Sequence, residues 1–288
     1  MLLGYNTNGF AHHAPHEAME LLAEIGYRAV GLTIDQGVLN PRDPASAAQA
    51  PRLRRLAKKL GLTLVVETGA RYLLDPRTKH EPTLVSADPD RRDARVAFYQ
   101  QAIEIGHELG ACSVSIWSGV VRDNASNDEA YDRLIPSLTE VLTSAARIGM
   151  PIAFEPEPGM LVSTLADYEQ LKERLVTNGA PVEALRLTVD IGHLHCNQEG
   201  SIPGLLQKHS DELANLHIED MRSGVHEHLM LGEGEIEFPP VLTTLNAIGY
   251  QGPVQVELSR HSHMAPEAAR HAYEFLAPMV GQGGARLD

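Results

Sequence analysis

The same unit recurs along the chain: an amphipathic helix, a glycine near its end, then a short apolar run that stops at polar residues. Six copies read in order: ELLAEIGYRAVGLTID ending at Asp35, RLAKKLGLTLVVET at Thr68, AIEIGHELGACSVSIWSG at Gly119, SAARIGMPIAFEPEP at Pro158, LKERLVTNGAPVEALRLTVDIGH at His193 and TLNAIGYQGPVQVELSR at Arg260. A glycine suits the left-handed position just past a helix, and a run of four to six Val/Ile/Leu-rich residues suits a strand buried on both faces. Helix then buried strand, repeated, predicts a parallel sheet. The opening LLGY, and LANLHIED after the helix-like LLQKHSDE, bring the strands to eight. Eight βα units on 288 residues predict an α/β chain folded as a closed (β/α)₈ barrel, a single domain over residues 1–288, rather than an open doubly wound sheet.

Two segments break the short-loop pattern, residues 69–88 after strand three and 222–240 after strand seven. Long irregular βα loops in a barrel surround its active mouth. The tail GQGGARLD reads as a frayed end. Net charge is −14, from 38 acidic and 24 basic residues. Such a field repels phosphodiester backbones and anionic membranes, so the expected partner is a small molecule and not nucleic acid or a membrane. Cys112 and Cys196 each lie in or beside an apolar strand-like run, which predicts free thiols. The segment MLLGYNTNGF has no basic n-region, and no stretch approaches the roughly 18 apolar residues of a membrane span, so a cytoplasmic location is expected.

The last four strands finish on metal-ligand types: Glu155 in IAFEPEP, Asp190 in LTVDIGH, His217 in NLHIED and Glu257 in VQVELS. Any one alone reads as a satisfied polar residue at a strand end. Together, three carboxylates and an imidazole at one mouth repel unless a cation lies between them, and the mixed N/O set suits Mn²⁺, Mg²⁺, Co²⁺ or Zn²⁺. Glu157 could replace Glu155 as ligand. On the strand-three loop, Arg71, Lys79 and His80 form a cationic group able to hold a phosphate or carboxylate, or are simply solvated loop charge. Trp117, the only tryptophan, reads equally as a sugar-stacking platform or a core filler. His12 and His13 either gate the mouth or cap the helix starting at Pro15. The basic run from Arg52 to Lys59 reads as the solvated face of a helix.

The ordered series HIED, HEHLMLGEGEIEF and GYQGPVQVEL resembles the H-x-x-x-D, H-x-x-x-G-x-G and G-Y-x-G-x-x-x-x-E series of the xylose isomerase-like TIM barrels. That family includes sugar isomerases, ketose 3-epimerases, inosose-type dehydratases and endonuclease IV. The resemblance covers nearly the whole chain and is strongest from Ile152 to Glu257. It implies that Glu155, Asp190, His217 and Glu257 bind one divalent metal and that Glu155 and Glu257 also serve as the acid/base pair. His193, in DIGH, would touch substrate or a further metal. His226 and His228, spaced to point one way in an extended loop, occupy the place where endonuclease IV binds an additional zinc, so a second metal is conceivable. Glu67 and Trp117 stand where that nuclease has histidines, which argues against its trinuclear chemistry. Arg222 lies where some epimerases contact substrate. The implied activity is isomerisation or epimerisation of a keto-sugar, sugar phosphate or polyol through an enediolate. A lyase or dehydratase on an inosose-like substrate is the alternative, with a nuclease or a non-catalytic sugar-binding barrel behind it. Members of the family often form homo-oligomers.

Overall fold

The computed structural model describes residues 1–280; the expected frayed tail lies outside the described residues. Strand β1 (Leu2–Asn6) leads through a 3₁₀ turn (Thr7–Phe10) to α1 (Pro15–Ile25), β2 (Ala29–Thr33) to α2 (Pro44–Ala47) and α3 (Ala50–Leu60), and β3 (Thr63–Glu67) to α4 (Pro89–Leu109). Next come β4 (Val114–Ile116) with α5 (Asn127–Ile148), β5 (Ile152–Phe154) with α6 (Leu165–Thr177), and β6 (Leu185–Asp190) with α7 (Ile191–Cys196) and α8 (Ile202–Lys208). After β7 (Leu213–Ile218) the chain forms a hairpin of β8 (Asp220–Arg222) and β9 (Val225–Leu229), then α9 (Phe238–Ala247), β10 (Pro253–Val256) and α10 (Ala265–Val280). The parallel strands close in the order β1, β10, β7, β6, β5, β4, β3, β2. This is the (β/α)₈ barrel that the repeat predicts, and the glycine of the repeat does what the pattern requires. Gly61, with φ 67°, and Gly149, with φ 68°, end α3 and α5 in the left-handed conformation and donate their N–H groups back to the last turn.

Apolar side chains fill the shell between strands and helices, where Leu22, Leu138, Leu171, Leu245 and Leu276 are fully buried. Each such side chain contributes about 1.5–3 kcal/mol of burial. The bore differs. Glu67, Ser115, Thr188, Asn215 and Gln255 are buried and bond to one another: Ser115 Oγ lies 3.2 Å from Thr188 Oγ1, and Gln255 donates to Asn215 Oδ1 at 3.2 Å. A side chain at Gly31 would bring its Cβ within 2.8 Å of Gln255 Oε1, so only glycine leaves that amide its place. Most barrels pack branched aliphatics here; this one stacks a polar column beneath the mouth.

Residues 69–88 form the expected irregular loop. The 222–240 segment departs from expectation, because its start belongs to the antiparallel hairpin in which Arg222 pairs with Val225 and Asp220 with Leu229. Asp220 holds the hairpin in place by accepting the N–H groups of Met221, Gly232 and Ile236 at 2.9–3.0 Å. No helix among the described residues is long and apolar enough to cross a membrane.

Candidate active site

Parallel register sets the height of each functional side chain. Asp190 pairs with His217 across β6 and β7, and Gln255 with His217 across β7 and β10. Glu155 and Glu257 each follow their strand by one residue and stay tied to the barrel by N–H bonds to Ile116 and Ile218 carbonyls, at 2.8 and 3.3 Å. Four consecutive strands of the closed sheet therefore deliver Glu155, Asp190, His217 and Glu257 to one level. One ligand atom from each lies within 4.8 Å of the others. His217 Nδ1 faces Glu155 Oε1 at 3.0 Å and Glu257 Oε2 at 2.9 Å.

The rear nitrogen of that imidazole, Nε2, faces Glu67 Oε1 at 3.2 Å, and Asn215 donates to the same oxygen at 3.1 Å. Glu67 therefore stands behind His217, fixing its ring as carboxylates do behind metal-ligating histidines. Asn8, from the 3₁₀ turn after β1, donates to Glu257 Oε1 at 2.5 Å. Asn6 in turn accepts from the backbone of Asn8 and from the Thr33 hydroxyl, at 3.1 and 2.7 Å.

The donor chemistry fits a divalent cation. Asp190 Oδ2 is buried and meets no hydrogen-bond donor among the described residues, which is costly unless a charge faces it. Left to the side chains alone, burial pushes the Glu155 carboxyl up to about 8 even though His217 pulls it down. Burial also opposes ionisation of Glu257, but the neighbouring His217 and His228 outweigh it and hold the group down at about 2. Burial lowers His217, but Glu155, Glu257 and Glu67 outweigh it and raise the imidazole well above its usual range.

A cavity of about 230 Å³ opens above this group, its wall including Glu67, Trp117, Glu155, Glu157, His217, His226, His228 and Glu257. It is smaller than the roughly 300–1,000 Å³ of drug-sized sites, which suits a monosaccharide-sized ligand. Arg71, Lys79, His80 and Arg260 line the same cavity. Arg71 donates to the Asn8 carbonyl at 2.7 Å and lies 3.5 Å from Asp35. Burial lowers His80 to about 4, so at neutral pH it is an uncharged member of that group.

His193, on α7, is buried beside the cavity. Its Nδ1 lies 3.2 Å from the Pro156 carbonyl and its Nε2 3.1 Å from Nε2 of His226. Strand β9 turns His226 and His228 to the same side, and with His193 they form an imidazole trio whose ligand atoms lie within 4.8 Å of one another. Glu157 lies 3.9 Å from His193 Nε2 and 3.7 Å from His226 Nε2, beside Glu155 and not in place of it. Trp117 is 6% exposed and lies on the cavity wall. Arg222 is exposed, donates to the Glu233 carbonyl at 3.3 Å and is not on the cavity wall, because the hairpin turns it outward. His12 is exposed, and His13 lines a separate groove beside α1.

Three participants carry no signal in sequence. Asn8 orients Glu257. Glu219 is fully buried, and neither of its oxygens meets a donor among the described residues. Arg95 is fully buried on α4, donating to the carbonyls of Pro82 at 2.6 Å, His80 at 2.7 Å and Thr68 at 3.5 Å. Its guanidinium also lies 4.8 Å from the centre of the Trp117 ring. It holds the 69–88 loop against the barrel, and thereby the cationic wall of the cavity.

Comparison with known proteins agrees with this architecture. The chain is 23% identical over 253 residues to L-ribulose-5-phosphate 3-epimerase UlaE of Escherichia coli, covering 88% of this chain and 84% of that protein. It is 28% identical over 173 residues to the inosose dehydratase of Geobacillus thermodenitrificans, covering 54% of this chain and 56% of that one. The crystal structure of the IOLI protein with a zinc atom has the same fold, with a TM-score of 0.76 at 18% identity over 99% of this chain and 100% of that chain. A family model matches residues 19–279, and the chain belongs to the xylose isomerase-like TIM barrels.

Proposed function

We propose that this chain is a divalent-metal-dependent isomerase or epimerase of a small keto-sugar, sugar phosphate or related polyol. The observation that carries the reading is the convergence of Glu155, Asp190, His217 and Glu257 within 4.8 Å, three of them (Glu155, His217 and Glu257) lining a monosaccharide-sized cavity. Those four residues would hold the ion, which when bound supplies polarisation of a carbonyl and the neighbouring hydroxyl and so acidifies the adjacent C–H. Glu155 and Glu257 are the two proton carriers. One takes the proton from carbon, leaving an enediolate, and the other returns a proton to the opposite face or to the adjacent carbon. Return to the opposite face gives the epimer; return to the neighbouring carbon gives the isomer. Asn8 and Glu67 keep Glu257 and His217 aimed during that exchange. Trp117, His226 and His228 border the substrate, and Arg71 and Lys79 suit a phosphate or carboxylate at its far end.

The sugar epimerase among the relatives supports the class, and the zinc in the IOLI structure supports a metal. A dehydratase on the same site is the second reading, favoured by the inosose dehydratase relative, because an enediolate beside a leaving hydroxyl can eliminate water. NMR in D₂O on a panel of ketoses, inososes and their phosphates tests both with the metal-reloaded protein. Deuterium beside the carbonyl with the formula otherwise kept supports isomerisation or epimerisation. Loss of water supports the lyase, and no exchange with any substrate or metal overturns both.

A further inference from the structure

Three side chains, Asn8, Thr33 and Arg71, line both the catalytic cavity and the groove beside α1. Thr33 is pinned to the segment that follows β1: its N–H donates to Thr7 Oγ1 at 2.9 Å and its hydroxyl to Asn6 Oδ1 at 2.7 Å. Arg71 reaches across from the 69–88 loop, donating to the Asn8 carbonyl at 2.7 Å and standing 3.5 Å from Asp35 Oδ2. A guanidinium has five N–H donors, so these contacts leave others for a ligand. The partition between the two compartments is thus one side chain thick, and Asn8, which forms part of it, also bonds Glu257.

The groove holds about 170 Å³, against about 230 Å³ for the catalytic cavity. Its lining divides by chemistry. Phe10, Ala11, Pro15, Ala18 and Val38 supply an apolar side, whereas His13, Asp35 and Gln36 supply hydrogen-bonding groups. An apolar lining with a few placed polar groups is the general pattern of small-molecule pockets. A sugar ring carries the matching division, with C–H faces and a hydroxylated edge. Asp35 lines the groove and not the catalytic cavity, and it sets the charge: its carboxylate accepts hydroxyls and repels a phosphate or carboxylate. Outward, the groove meets a further hollow between α1 and α3, where Gln49, Arg52 and Leu53 join the wall.

We propose that the groove binds a second, uncharged sugar unit, joined by a glycosidic bond to the keto-sugar in the catalytic cavity, with Arg71 donating to the linkage oxygen. A partition one side chain thick favours an extension of the substrate over an independent effector, because neighbouring rings of one molecule are separated by a single bridging atom. The proposal rests on the proposed function and narrows it, since it names glycosylated keto-sugars as the class that this site takes in preference to free monosaccharides.

Calorimetric titration of the full-length protein reloaded with Mn²⁺ compares D-fructose with turanose, maltulose and palatinose, which add a glucose to fructose through different oxygens. At least one disaccharide is expected to bind about tenfold tighter than fructose. Val38→Phe, which fills the groove, removes that gain and leaves the affinity for fructose unchanged. Ala11→Phe does the same from an exposed position, where the larger side chain does not disturb the core. Equal affinities for fructose and all three disaccharides overturn the inference; deuterium exchange on a keto-sugar then leaves the isomerase reading standing. A gain that survives both substitutions puts the glucose elsewhere and also overturns it. Tight disaccharide binding that is lost in both variants, with no deuterium exchange on any keto-sugar, supports the groove while the isomerase reading fails. No binding of any of the four sugars overturns the inference as well.

Discussion

The acidic and cationic walls of the mouth are built by different means. Glu155, Asp190, His217 and Glu257 stand on or one residue beyond strands, and the parallel register of the barrel fixes their heights. Arg71, Lys79 and His80 belong to an irregular loop whose carbonyls accept bonds from the buried Arg95, among other tethers. A donor set mounted on a sheet is held by many backbone bonds and tolerates few chemical changes. A wall mounted on a loop is held by side-chain bonds from outside it, among them those of Arg95, Arg42 and Arg122. The lesson is that the acidic wall is vulnerable through its own side chains, whereas the cationic wall is vulnerable through a residue that never meets the ligand.

That contrast can be broken at several points. Glu257→Gln is expected to cost the most, about 10²–10⁴-fold in kcat, the range for loss of an acid/base group. Solvent deuterium incorporation measures it, and a loss under tenfold removes Glu257 from proton transfer. Arg95→Met is expected to destabilise by about 3 kcal/mol, since it strands buried carbonyls that lose their charged donor. Denaturant unfolding reads the stability, and emission from the sole tryptophan should shift as its cation partner is lost; Arg95→Lys should recover part of both. An unchanged spectrum would mean that the other tethers suffice to hold the loop.

Smaller effects sharpen the same contrast. Glu67→Gln should leave the fold intact and weaken metal binding by roughly 10–100-fold, as removal of a carboxylate behind a ligating histidine does; calorimetric titration with Mn²⁺ reads it directly. Lys79 is exposed, so Lys79→Met is expected to raise KM for a phosphorylated or carboxylated substrate by only about 2–5-fold, with kcat and the KM of a neutral analogue unchanged. Equal changes for charged and neutral substrates would take Lys79 out of anion recognition.

The same division decides what was legible in the sequence. The barrel could be read because each strand is an apolar run bounded by a helix-ending glycine, and the four donors because they interrupt that rule at strand ends. The hairpin was hidden because VHEHL alternates imidazole with acid and aliphatic residues, so no apolar period of two betrays a strand. Glu219 sits in HIED and reads as a turn acid; its burial depends on Gly192, far upstream. Arg95, in RRDARVAF, looks like one more solvated helix charge, and only the return of the 69–88 loop over α4 encloses it. Asn8 lies in a polar turn whose partner, Glu257, is at the other end of the chain. For Glu219, Arg95 and Asn8, what stayed hidden depends on a contact between segments distant in sequence.

The hairpin that follows β7 carries a consequence for how this site can change over generations. Because strand side chains alternate, His226 and His228 enter or leave the cavity together; a single inserted residue would swing both outward and bring Glu227 in. A one-codon insertion there would thus exchange a nitrogen-rich boundary for an acidic one without touching the barrel, giving descendants of this fold an abrupt route to a different ligand preference.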